Sequence, residues 1–165
     1  MKYIRIGKIV NTHGIKGELR ILSDFKYKDR IFKNNFKLYI GPDKVCEVIN
    51  TYRPHKQFDM VTFNNYNNIN EVLKYKGYYV FINEDDLTLN DNEYLDSDLI
   101  DLKVICNNKI IGIVKNVEYY SKNNPLLYVE NQNKHFYIPY NFDIIDSINL
   151  HKGEITINYI KGLFD

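Results

Sequence analysis

Ile6-Gly7-Lys8-Ile9-Val10-Asn11-Thr12-His13-Gly14-Ile15-Lys16-Gly17-Glu18-Leu19-Arg20-Ile21 carries three of the chain's eight glycines, Gly7, Gly14 and Gly17. Two β-branched, apolar-alternating runs flank a turn, and glycine accepts the positive φ or close backbone contact that a tight turn demands. The stretch predicts a β-hairpin that opens a barrel.

Downstream, strands are expected over 36–40, 45–53 and 58–63, with turns at Gly41-Pro42-Asp43 and around Pro54-His55. Residues 67–76 predict one short helix: Asn68 or Asn70 can cap it, Glu71 lies in its first turn and Gly77 stops it. A strand over 78–82 follows. The polar, acidic run from Asn83 to Ser97 reads as a linker. Beyond it the chain returns to short strands over 99–106, 109–117, 126–130, 135–138 and 154–159, with a corner at 143–147. Regular short strands with almost no helix predict an all-β protein of two small β-barrels. The expected boundaries are residues 1–86 for the first barrel, 87–96 for the linker and 97–165 for the second.

The chain's 165 residues suffice for two small domains, and 44% hydrophobic with 26% charged residues is a globular composition. No apolar run is long enough to span a bilayer and no leader pattern opens the chain, so no membrane partner and a cytoplasmic location are expected. Cys46 and Cys106 lack metal or disulfide spacing and read as two buried thiols. The near-neutral total conceals an asymmetry: residues 1–90 carry 15 basic and 10 acidic side chains, residues 91–165 carry 7 and 11. Such polarity suggests a first half that tolerates phosphate and a second that does not.

No coherent catalytic set emerges. The carboxylates Glu84, Asp85, Asp86, Asp96, Asp98 and Asp101 cluster in or beside the linker, where a charge run is ordinarily solvated. His13 has no serine or cysteine near it in sequence and reads as a turn or surface-contact residue. Gly14-Ile15-Lys16-Gly17 has the spacing of a phosphate-clamping loop, but strands rather than helices flank it, so a hairpin turn is the stronger reading. No catalytic residue, cofactor or metal site is therefore expected. The denser signal is Lys16, Arg20, Lys26, Lys28, Arg30, Lys33 and Lys37, interleaved with Phe25, Tyr27, Phe32 and Phe36, the first five cations being the candidate RNA contacts. Cations neutralise phosphate and rings stack on unpaired bases, which suits RNA contact, while the same rings could equally belong to the core.

The glycine pattern Gly7, His13, Gly14, Gly17, Glu18, together with Leu126-Leu127-Tyr128-Val129, Tyr137-Ile138-Pro139-Tyr140, Ile144-Ile145-Asp146, Glu154-Ile155-Thr156-Ile157 and Gly162-Leu163-Phe164, resembles the RimM family of 16S rRNA processing and ribosome maturation factors. Glu93-Tyr94-Leu95, Asp98-Leu99-Ile100-Asp101-Leu102 and Gly112-Ile113-Val114 follow that family's order. The resemblance implies an elongation-factor-like first barrel and a C-terminal PRC-barrel. It further implies a non-catalytic assembly factor that binds the immature 30S subunit and supports maturation of its head. The partners implied are the free 30S subunit, ribosomal protein S19 of the head and 16S rRNA, with the protein acting as a monomer. The family's paired aromatic residues before the second barrel correspond to Tyr94 and Leu95, of which only Tyr94 retains a phenol. Asp101 stands where the family usually has glycine. The alternatives are a general RNA-binding translation module or an RNA-processing enzyme.

Overall fold

The opening hairpin forms between β1 (Tyr3–His13) and β2 (Glu18–Leu22), which pair antiparallel from Lys8 opposite Leu22 to His13 opposite Glu18. Gly14 and Gly17 turn the chain at φ of 75° and 92°. Leu19 and Ile21 alternate inward along β2; on β1 the buried Ile6 and Ile9 lie three apart because register shifts at Gly7 and after Ile9 reset the alternation, while Lys8 and Asn11 are exposed. In a computed structural model describing residues 1–159, 161 and 162, the chain divides into two units, Met1–Thr88 and Leu89–Asp165.

The first unit adds β3 (Lys37–Ile40), β4 (Val45–His55), β5 (Phe58–Phe63) and β6 (Tyr79–Asn83). Its strands run β1-β2-β5-β4-β3-β6 and close when β6 pairs back onto β1, which leaves no free edge. Inside lie Ile6, Leu19, Leu38, Ile49, Phe63 and Ile82 among others, all essentially excluded from solvent. A register shift falls between Arg5 and Gly7, where a Cβ on Gly7 would stand 2.7 Å from the Leu22 carbonyl oxygen. Only glycine lets β1 pass that close to β2.

The helix expected at 67–76 is present in two pieces, α2 (Ile69–Val72) and a 3-10 turn over Leu73–Tyr75. The Glu71 carboxylate accepts from the Asn67 and Asn68 N–H groups, and Gly77 ends the segment at φ 89°. A further four-residue helix, α1 (Lys28–Ile31), occupies a stretch for which the sequence predicts no element. The turn expected around Pro54-His55 is centred just beyond them, with Lys56 at φ 55°, and both residues themselves continue the β4–β5 ladder. Around the expected linker, Glu84–Asp86 form a 3-10 turn, Leu87 packs on the first core, and α3 (Asp96–Leu99) replaces the start of the expected strand.

The second unit comprises β7 (Lys103–Cys106), β8 (Lys109–Tyr119), β9 (Pro125–Asn131), β10 (Lys134–Pro139), β11 (Ile145–Asn149) and β12 (Glu154–Ile157). The sheet runs β10-β9-β8-β7-β12-β11, with β12 parallel to β7. Val104, Val114, Leu127, Val129, Ile138, Ile145 and Ile155, drawn from all six strands, form one core, so the sheet curls around it. Of the residues read as a corner at 143–147, Asp143 and Ile144 lie in a turn and Ile145 begins β11, and Leu163 and Phe164 of the terminal motif lie outside the described residues. Cys106 is buried as expected, but Cys46 is exposed: it stands opposite Tyr39 on the outer side of the β3–β4 ladder.

Asp101 adopts φ 70°, the left-handed region in which a Cβ is strained. This is where the family resemblance expects glycine. Its carboxylate gains only a 3.7 Å exposed contact with Lys115, which contributes little. Asp101→Gly is therefore expected to stabilise the protein by about 0.5–1 kcal/mol, after the larger unfolded-state entropy of glycine is set against the relieved strain. A thermal melt showing an unchanged or lower midpoint would contradict this.

Candidate nucleic-acid and protein interfaces

At the turn end of the first hairpin, neighbouring strands bring ions together that are far apart in sequence. Arg53 on β4 donates from Nη2 and Nε to both oxygens of Glu18 on β2, at 2.7 and 2.9 Å. Arg20 Nη2 lies 2.7 Å from His13 Nδ1. Because guanidinium only donates, this ring nitrogen accepts and the His13 proton resides on Nε2. The His13 and His55 rings are 6.1 Å apart, and the Arg20 guanidinium sits 5.7 Å from the Phe58 ring centroid. Partial burial first, and then the positive charge around it, that of Arg53 foremost, hold the His55 imidazole below its ordinary value.

Glu18 is likewise held below the usual carboxylate range, chiefly by its hydrogen bonds from Arg53. Its folded pKa lies under the unfolded 4.5, so the stability it contributes is present above that pH and disappears as pH falls through the folded value. Solvent screening keeps the pair's contribution small. Urea unfolding should accordingly find Arg53→Gln slightly destabilising at neutral pH and equal to wild type once Glu18 is protonated. A penalty that persists in acid would contradict the assignment.

The five cations singled out in the sequence do not share one environment. Lys16 projects into solvent from the hairpin turn, and Lys26 is exposed just before α1. Lys28 reaches the carboxylate of Asp59, which is only 3% exposed, with Nζ 2.8 Å from Oδ2. The approach is off the line of a good hydrogen bond, leaving Oδ2 without one, while the Tyr52 hydroxyl donates to Oδ1 at 2.7 Å. Burial, then this bond to Asp59, keeps the Tyr52 phenol far above its ordinary value and thus a donor. Arg30 bonds Asp29 and the Thr88 carbonyl and lies over Tyr27. The interleaved rings belong to the barrel interior: Tyr27, Phe32 and Phe36 are buried, and Phe25 packs against the same core.

In the second unit Tyr94 is half-buried against the core, its hydroxyl 3.5 Å from the Ile148 carbonyl, whereas Leu95 is turned inward at 9% exposure. A separate group of rings, Tyr120, Tyr128, His135 and Tyr137, lies across β9, β10 and the end of β8, with centroids 5.3–6.1 Å apart. The Tyr137 phenol is pushed up to about 12, first by its hydrogen bond with Tyr120, then by burial and the Glu118 charge. In the first unit, closure of β6 on β1 assembles aromatic and cationic side chains that no local pattern had united: Tyr3, Arg5, Lys8, Lys44, Tyr79 and Phe81. Alternation along β1 and β6 was the signal that could have found them.

Among the described residues, no group of three or more His, Cys, Asp or Glu is arranged to hold a metal ion, and no helix is long and apolar enough to cross a membrane.

These features define a two-unit β protein whose surfaces are of opposite charge and rich in aromatic side chains. Residues 4–87 match the RimM N-terminal domain and residues 91–164 the PRC-barrel domain. The ribosome maturation factor RimM of Oenococcus oeni is 36% identical over 99% of this chain and 98% of its own. Its counterpart in Bacillus cytotoxicus is 33% identical over 98% of each. The solution structure of the N-terminal domain of RimM from Thermus thermophilus is 16% identical, covering 54% of this chain and 98% of that one, with a TM-score of 0.47. The chain belongs to the RimM family of ribosome maturation factors.

Proposed function

We propose that this protein assists maturation of the small ribosomal subunit, binding the immature 30S particle and supporting 16S rRNA processing without covalent chemistry. The observation that carries this reading is the two-domain likeness to ribosome maturation factors along nearly the whole chain. The proposed action is on the subunit head. The cationic first unit contacts 16S rRNA, Lys16 and Lys26 being the most exposed of the five cations, with Arg20, Lys28 and Arg30 contributing what their internal pairings leave. The acidic second unit receives ribosomal protein S19 near Tyr94 and Leu95. The protein works as a monomer and favours one conformation of the head through its differential affinity for immature and mature particles.

Co-sedimentation in a sucrose gradient of lysate tests this. Enrichment of tagged protein on free small subunits, and not on assembled ribosomes, is expected. Equal occupancy of both would favour a general RNA-binding role in translation, and precursor rRNA cleavage by the purified protein would overturn the non-catalytic reading.

A further inference from the structure

We infer that a recess on the outer side of the first barrel, between the β3–β4 turn and the start of β6, is a stacking site for unpaired RNA nucleotides, an assignment that rests on the rRNA reading above. The recess has a volume of about 160 Å³ and is lined by Gly41, Pro42, Gly77, Tyr78, Tyr79 and Phe81. Tyr78 and Tyr79 remain 43% and 47% exposed, unusual for large rings at a strand start. A Cβ on Gly41 would stand 2.9 Å from the Tyr78 ring, and Gly41 has φ 75°, so glycine there is what lets the ring lie against the backbone. The frame is fixed before any ligand arrives. Gly41 N–H donates to the Tyr79 carbonyl at 2.9 Å, Gly77 N–H to Ile9 at 2.7 Å, and Ile9 N–H to Tyr78 at 2.9 Å.

Charge identifies the occupant. The Arg5 guanidinium lies 4.7 Å from the Tyr79 centroid, Lys8 Nζ 5.6 Å from the same ring, and Lys44 Nζ 4.2 Å from that of Phe81 and 5.7 Å from that of Tyr3. Among the described residues none of these three cations forms an ion pair; their counter-surface is the aromatic face. Of the nearby carboxylates, Glu84 is held by Lys2 at 3.1 Å, and Asp43 and Asp86 are exposed. Cations arrayed over rings leave their outer sides for phosphate, and a guanidinium plane backed by tyrosine is itself a stacking surface. Tyr78, which carries no cation, offers its ring to a base. Such a site reads the single-stranded state and not the sequence.

Fluorescence anisotropy with the full-length protein and a short labelled oligouridine strand tests the inference. Tyr78→Ala is expected to weaken binding about tenfold, Tyr78→Phe to retain it, and a blunt RNA duplex to bind without sensitivity to either change. Arg5→Gln combined with Lys44→Gln should flatten the dependence of log affinity on log salt by roughly 0.7 for each cation removed. All four side-chain changes lie on the outer surface, and a melt establishes that each variant folds. Absence of wild-type binding, or equal affinity in folded Tyr78→Ala, overturns the stacking site. So does loss of subunit co-sedimentation with oligouridine binding intact, which would mean a protein occupies the recess. Failure of the wild-type protein to sediment with free small subunits would instead defeat the ribosomal reading on which the site rests.

Discussion

Gly112→Ala is expected to remove about 3 kcal/mol of stability from the second unit, enough to lower its thermal midpoint by more than about 10 °C. Gly112 is buried on β8 opposite Val104, beside the register shift of the β7–β8 ladder. A methyl group there would stand 2.5 Å from Val129 Cγ1 and 2.8 Å from the Glu130 carbonyl oxygen. The valine could rotate. The carbonyl cannot retreat without disturbing the β8–β9 ladder, where Ile113 faces Glu130, so the cost is one of backbone and not merely of packing. Marginal domains of this size possess only about 4–11 kcal/mol in all. Amide exchange should show protection lost along β7, β8 and β9, and a melt within a degree or two of wild type would contradict the argument.

Lys28→Met is expected to cost about 2–4 kcal/mol, because it leaves the Asp59 carboxylate buried with the Tyr52 hydroxyl as its remaining close polar partner. Lys28 is itself partly solvated, which keeps the expectation below that for a fully enclosed pair. Replacing both partners by apolar residues, Lys28→Met with Asp59→Leu, should recover much of the loss, since no charge is then left unmatched. The cycle separates two roles for this lysine. If its charge served RNA alone, removing it would weaken RNA binding and leave the melt unchanged.

Local chemistry made the opening hairpin legible: glycines at positive φ, β-branched alternation, and an ordinary turn between them. The same holds for the segment capped by Asn68 and Glu71 and stopped by Gly77. Four-residue helices such as α1 carry no periodicity long enough to read, and α1 has no side-chain cap. The corner expected at 143–147 is half right: Asn141 accepts from the Asp143 and Ile144 N–H groups in a turn that ends just as β11 begins at Ile145. Surfaces were harder. Phe25, Tyr27, Phe32 and Phe36 stand among lysines in sequence yet face the core, while Tyr3, Tyr79 and Phe81 become neighbours only because β6 returns to β1. Interleaving of rings and charges along a chain does not reveal which side of a strand each occupies.

Closure of the first barrel also sets an order of events in time. Its final ladder joins the earliest strand to the latest, Tyr3 to Asn83, so β1 must wait for nearly the whole unit to be synthesised before its second neighbour exists. Bringing such distant segments together costs loop entropy that local hairpins escape, which makes seam formation the slow step and β1–β2 an early one. Each unit is nonetheless continuous in the chain. On a translating ribosome the first can seal its seam while the second is still being made, and residues about Tyr78 and Tyr79 acquire their neighbours at the moment of sealing.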